Sequence, residues 1–261
     1  MDKVELRTLA EALGELINAY RILTGKRPMA PFVGFAVDCG TPALVEHIIL
    51  QAKAVCLLAE SSQDFAPAAA ACARSAMEVG ALVAWLAKPK DSYEREGRWL
   101  GYFKSLEDFY RKQAKELKTR DPKESKEAQE ILSSDLKKMS APRFGRNIVP
   151  VSKPSLKDMM IDLGYEHLYT SYRELCELIH GGPETISRHR APYRSLSIPF
   201  GFEFGLFSNN KLDWQIIFKA TGWGVGVSAY HSSLNLRFNN SKCANLLNAH
   251  KRLEALVGQL K

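Results

Sequence analysis

Arg173 and His180 stand 7 residues apart in the segment RELCELIH, two turns of a helix, so on a helix both side chains project along one stripe. A guanidinium and an imidazole on a shared face can handle phosphate chemistry without a metal. The cation offsets charge building on a phosphoryl group, and the imidazole, with an ordinary pKa near ~6.5, passes protons to or from a ribose 2′-hydroxyl or a departing oxygen. Tyr169, Cys176 and Glu177 share this stripe. The same residues also have a plain structural reading: Arg173 and Glu177 are an i,i+4 ion pair, and His180 in a last turn complements the helix dipole.

Arg74 and Glu78, one turn apart in an otherwise apolar segment, raise the same two readings. Two charges enclosed in a core cost several kcal/mol unless other groups meet them. Either they bond each other and neighbouring helix ends, or they line one cleft with Arg173 and His180, where Glu78 orients the imidazole or raises its pKa.

A third cluster, RHRAPYR, begins 8 residues after His180. Arg188, Arg190 and Arg194 suit phosphates in forked geometry, and Tyr193, like Tyr169, offers a face for an unpaired base, so this is a candidate RNA-contacting edge as well as an ordinary solvated loop. Lys137, Lys138, Arg143 and Arg146 either extend that patch or form a charged surface face. His47, His167, His231 and His250 lack the spacing of metal ligands, and no Walker loop, HExxH or GxSxG is present, so neither a metal nor a cofactor is expected.

These residues need helices to position them. Leu168, Tyr172, Leu175 and Ile179, spaced by 4, 3 and 4, predict a helix over about 165–180 with a buried seam beside the Arg173 stripe, stopped by Gly181, Gly182 and Pro183. Residues 65–87 carry only Arg74 and Glu78 as charges and predict a helix apolar nearly all round, at the centre of the core, with Asp64 as N-cap and Pro67 in the first turn. A first amphipathic helix spans 4–24, a Gly- and Pro-containing connector 31–42, and a second helix 44–58. Over 88–154 there are 17 Lys and Arg against 11 Asp and Glu, which holds nearly all of the chain's surplus of +7. Its first half has an aromatic stripe (Trp99, Tyr102, Phe103, Phe109, Tyr110) and reads as a long helix docked on one face. Residues 118–154 read as an exposed charged helical excursion that ends in a proline-containing linker.

Phe200, Phe202, Phe204 and Leu206 alternate with small or polar residues, the period of a short β-hairpin near 195–211, which could also wall a small-ligand pocket. Two more helices are expected over 213–230 and 241–260, and the Gly222, Gly224, Gly226 spacing points to close helix packing rather than a dinucleotide loop. The fold class predicted is mainly α, a helical bundle in a single domain, 1–261. With 46% hydrophobic residues the chain supports a sizeable core, which excludes wholesale disorder. Five cysteines without a CxxC pair, and an opening with Asp2, Lys3 and Glu5 in place of an apolar run, lead to the expectation of a cytoplasmic protein that uses no membrane; the basic balance favours anionic partners.

RELCELIH resembles the signature of HEPN domains, an arginine and a histidine separated by four to six residues. The wider pattern is similar to an uncharacterised bacterial HEPN-like family: ARSAMEVGALVAWL over 73–86, then YEHLYTSYRELCELIHGG over 165–182. The likeness covers roughly 40–185 and leaves the C-terminal part outside it. It implies a helical bundle that forms a homodimer, with two Arg and His helices around one cleft, and Arg173 and His180 as catalytic pair of a metal-independent ribonuclease. A role as toxin or antiviral-defence effector, RNA as partner and a regulatory protein follow from the same resemblance. Many active members have Asn, Asp or His directly after the arginine; Glu174 stands there in this chain. Some relatives are catalytically silent modules that bind nucleic acid or protein, which is the competing expectation.

Overall fold

A computed structural model describes residues 3–24, 35–62, 65–117, 122–139, 147–180, 211–235 and 240–259. Among them the chain forms α1 (Lys3–Thr24), α2 (Ala36–Ser61), α3 (Ala66–Ala87), α4 (Ser92–Leu117), α5 (Pro122–Met139), α6 (Leu156–Leu163), a 3-10 turn at Glu166–Leu168, α7 (Tyr169–His180), α8 (Lys211–Asn235) and α9 (Asn240–Gln259). No strand occurs among the described residues, and the fold is the mainly α bundle that the sequence predicts. The hairpin expected near 195–211 lies outside the described residues, except that Lys211 opens α8.

Alanine and glycine let other helices close around α3. It packs against α2, α4, α6, α7 and α8, and its residues from Gly80 to Ala87 are buried without interruption. Gly80 and Gly224 bring α3 and α8 together backbone to backbone. A Cβ on Gly80 would lie 2.5 Å from the Gly224 carbonyl oxygen, and one on Gly224 would lie 2.5 Å from that of Ala76. Gly222 and Gly226 serve α9 in the same way, facing Leu253 and the His250 ring. The Gly222, Gly224, Gly226 spacing is therefore a packing device, as expected. By length and composition α2 and α3 could each cross a membrane, but 67% of the apolar window of α3 is buried inside the fold, against 33% for α2. α3 is thus a core helix, while α2 leaves Leu50 and Leu57 exposed.

The sequence reading needs correction in three places. Residues 36–42 are the first turns of α2 rather than connector, and Pro42 lies inside the helix. Glu96 of α4, fully buried, explains the start: its carboxylate accepts the backbone N–H groups of Ala36 and Val37, both at 2.9 Å, and supplies a negative charge where the helix dipole is positive. Gly40 is needed because Trp99 occupies the space a side chain would take. The N-cap of α3 is Phe65, with Pro67 in the first turn as predicted; Asp64 lies outside the described residues. Finally, residues 156–163, which the sequence reading leaves unassigned, form a separate helix ahead of the one predicted over 165–180, itself observed as the 3-10 turn and α7. Ser155 caps α6 by accepting from Asp158 N at 3.2 Å, and Gly164, at φ 81°, ends it and turns the chain into α7. The Gly181–Pro183 stop lies outside the described residues.

The charged excursion is helical as expected: α5 packs against α4, and most of its described side chains are exposed. The described part of the linker, from 147, is held to α4: Val151 N donates to Gly97 O at 2.9 Å, and Val149 and Val151 lie where side chains at Gly97 and Gly101 would have to go.

Candidate functional site

α3 and α7 run antiparallel, so Glu78 meets the start of α7 and Arg74 meets its end. Arg74 Nε donates to Glu78 Oε1 at 2.9 Å, and the Tyr172 hydroxyl donates to the same oxygen at 2.8 Å. The guanidinium lies over the Tyr172 ring, 5.4 Å from its centre, and its Nη1 is 3.3 Å from His180 Nε2. Since a guanidinium only donates, a hydrogen bond here needs Nε2 to offer its lone pair. The Arg74 and Glu78 side chains are 30% and 40% exposed and His180 is exposed, so the seam opens to solvent at the His180 end.

Burial works against the Arg74 charge, but the hydrogen bond and charge of Glu78 outweigh it and raise its pKa, leaving a firm cation. Tyr172 is also pushed above the ordinary phenol range, first by burial and then by its bond to the carboxylate, so it remains a donor. The stacked Tyr169, 5.6 Å from Tyr172 at 23° between planes, extends the aromatic surface.

Of the four residues expected to converge, three do. Arg74, Glu78 and His180 form one network, but the cation beside the imidazole is Arg74 from the neighbouring helix, not Arg173. Arg173 is exposed and makes no hydrogen bond or ion pair among the described residues. Glu78 makes no hydrogen bond or ion pair with His180 and holds Arg74 and Tyr172 instead. Nor does Arg173 pair with Glu177, whose Oε2 is buried without a hydrogen bond. Tyr172, read from its spacing as a seam residue, is the missed member. Its position facing Glu78 depends on how α7 sits on α3, and the only signal in the sequence was that the charges of α3 required partners.

Arg188, Arg190, Tyr193 and Arg194, together with Arg143 and the neighbouring Arg146, lie outside the described residues. Among the described residues no group of three His, Cys, Asp or Glu side chains is arranged to hold a metal. Cys56, Cys72, Cys176 and Cys243 are free thiols.

Compared with known proteins, residues 43–191 match a family of unknown function, DUF5677. The matched segment includes Arg74, Glu78, Tyr172, Arg173 and His180, and stops before α8. No curated protein and no solved structure matches the chain.

Proposed function

This chain belongs to DUF5677, whose match spans more than half of it, and we propose that it is a cytoplasmic, metal-independent endoribonuclease of HEPN type that works on RNA as a homodimer. The observation that supports this reading most is the Arg74 guanidinium against the His180 imidazole at 3.3 Å, at the open end of a helix seam.

In the proposed reaction an RNA phosphate competes for the guanidinium and frees the Nε2 lone pair. His180 then takes the proton of the ribose 2′-hydroxyl, the 2′-oxygen attacks phosphorus, and the bond from phosphorus to the 5′-oxygen breaks. A cyclic phosphate and a 5′-hydroxyl result: the leaving oxygen takes a proton from water, and His180 returns its proton to solvent. Arg74 offsets the charge that builds on the phosphoryl oxygens. Glu78 and Tyr172 position Arg74, while the exposed Arg173 contacts an adjoining phosphate. Service as a toxin or defence effector under a regulatory partner fits such an activity.

A silent module that binds nucleic acid or protein is the second reading. It is favoured by Glu78, which already pairs with Arg74, and by Glu174 beside Arg173. Incubation of the purified protein with mixed RNA in chelator separates the two. The nuclease reading expects fragments ending in cyclic phosphate that disappear in His180→Ala and Arg74→Ala, with Arg173→Ala raising KM more than it lowers kcat. If wild type and variants all leave RNA intact at high protein concentration, the module reading replaces it.

A further inference from the structure

α8 and α9, which follow the family-matched segment, and the Tyr165–Leu168 corner within it line an open cleft of about 1150 Å³. Gly222 and Gly226 of α8 line it where Leu253 and the His250 ring of α9 come close to the α8 backbone. One wall is aromatic, Trp223 with Tyr165 packed edge-on at 5.5 Å. The opposite wall is aliphatic and comes from α9: Leu246, Leu253 and Val257.

The polar groups sit at the rim and are unevenly balanced. Glu254 lies 3.6 Å from His250 Nδ1, a contact that is an ion pair only when that ring is protonated. Lys219 is exposed, lines the cleft and has no hydrogen bond or ion pair among the described residues, and His167 stands exposed at the same rim. Lys219 is therefore a cation at the rim that no carboxylate among the described residues engages.

We propose that this cleft binds a small amphipathic anion, its planar apolar body between Trp223 and the α9 aliphatic wall and its acidic head at Lys219. Volume and shape favour a small molecule. Ligand sites of roughly 300–1,000 Å³ enclose most of a drug-sized compound, whereas a subunit contact needs about 800 Å² of surface on each side rather than a hollow. An apolar lining with few polar groups gives affinity from the body of the ligand and orientation from its head. The site is separate from the Arg74 and His180 seam, and it stands whether or not the chain cleaves RNA.

Two dyes of matched shape test it on the full chain: 8-anilinonaphthalene-1-sulfonate, and N-phenyl-1-naphthylamine, which lacks the sulfonate. Binding is read by energy transfer from tryptophan and by titration calorimetry. The proposal expects one equivalent of the sulfonate, bound about tenfold or more tighter than the neutral dye. Lys219→Glu removes that preference and leaves the neutral dye unaffected. Ala244→Trp, which fills the cleft from an exposed position on α9, abolishes both without moving the thermal melt. Equal affinity for the two dyes, or sulfonate binding that survives Ala244→Trp, overturns it. So does a dimer that Leu247→Glu splits and that excludes the dye, because the cleft is then a contact between copies.

Discussion

α3 meets α8 and α7 by opposite means. Against α8 it has no room for a side chain: Gly80 and Gly224 press backbone on backbone, and adding one carbon at either would force the helices apart. Against α7 it presents two charges, answers them with a phenol and an imidazole, and stays open to water. One helix thus has a rigid seam that fixes the bundle and a polar seam free to do chemistry. The difference follows from shape on one side and charge on the other, so substitutions on the two should fail differently.

The largest expected effect is on the glycine seam. Gly224→Leu should prevent folding, and Gly224→Ala should cost about 3 kcal/mol, the upper range for overpacking, because the atom met is backbone and cannot rotate away. Urea unfolding followed by circular dichroism measures this. A loss near zero would mean that α8 can shift freely on α3, and the contrast would collapse. On the polar seam His180→Ala should leave stability within about 0.5 kcal/mol, as expected for an exposed position, while any RNA cleavage falls by about 10² or more. Tyr172→Phe keeps the ring under Arg74 and removes one hydrogen bond, so it should cost about 1 kcal/mol and lower kcat only partly. Tyr172→Phe behaving like His180→Ala would promote the phenol from positioning to chemistry.

The smallest effect concerns the far end of the rigid seam. His231 on α8 is buried, and its pKa is lowered, first by burial and then by the Lys88 cation just beyond α3, with Asp162 opposing. A histidine that resists protonation when folded binds more protons when unfolded, so its contribution is complete above its ordinary value of 6.5 and is lost as pH falls below it. Stability measured from pH 8 to pH 5 should decline less steeply in His231→Gln than in wild type. A parallel decline would show that this end of the seam is wetter than its burial indicates.

Much of the fold was readable because helices announce themselves locally. The apolar circumference of α3 placed it in the core, and the spaced glycines of α8 announced close approach, since both are properties of one helix considered alone. The boundary of α2 was not readable. Gly40 and Pro42 are breakers by local rule, and they are helical here because Glu96, far along the chain, caps the first turn while Trp99 fills the space beside Gly40. α6 was not assigned because its 8 residues are about two turns, too short for apolar spacing to stand out, although Ser155 caps it and Gly164 ends it.

The candidate site divides along the same line. The sequence by itself determined which groups were available: an arginine and a glutamate that an apolar helix could not leave unanswered, and a histidine at the end of another helix. It could not determine which arginine faces the histidine, since spacing along one helix fixes direction only relative to that helix. The antiparallel packing of α7 on α3 decided it, bringing Arg74 rather than Arg173 to the imidazole and setting Tyr172 on Glu78. Contacts across a seam depend on the rotation and offset of two helices, and those are set by the whole core.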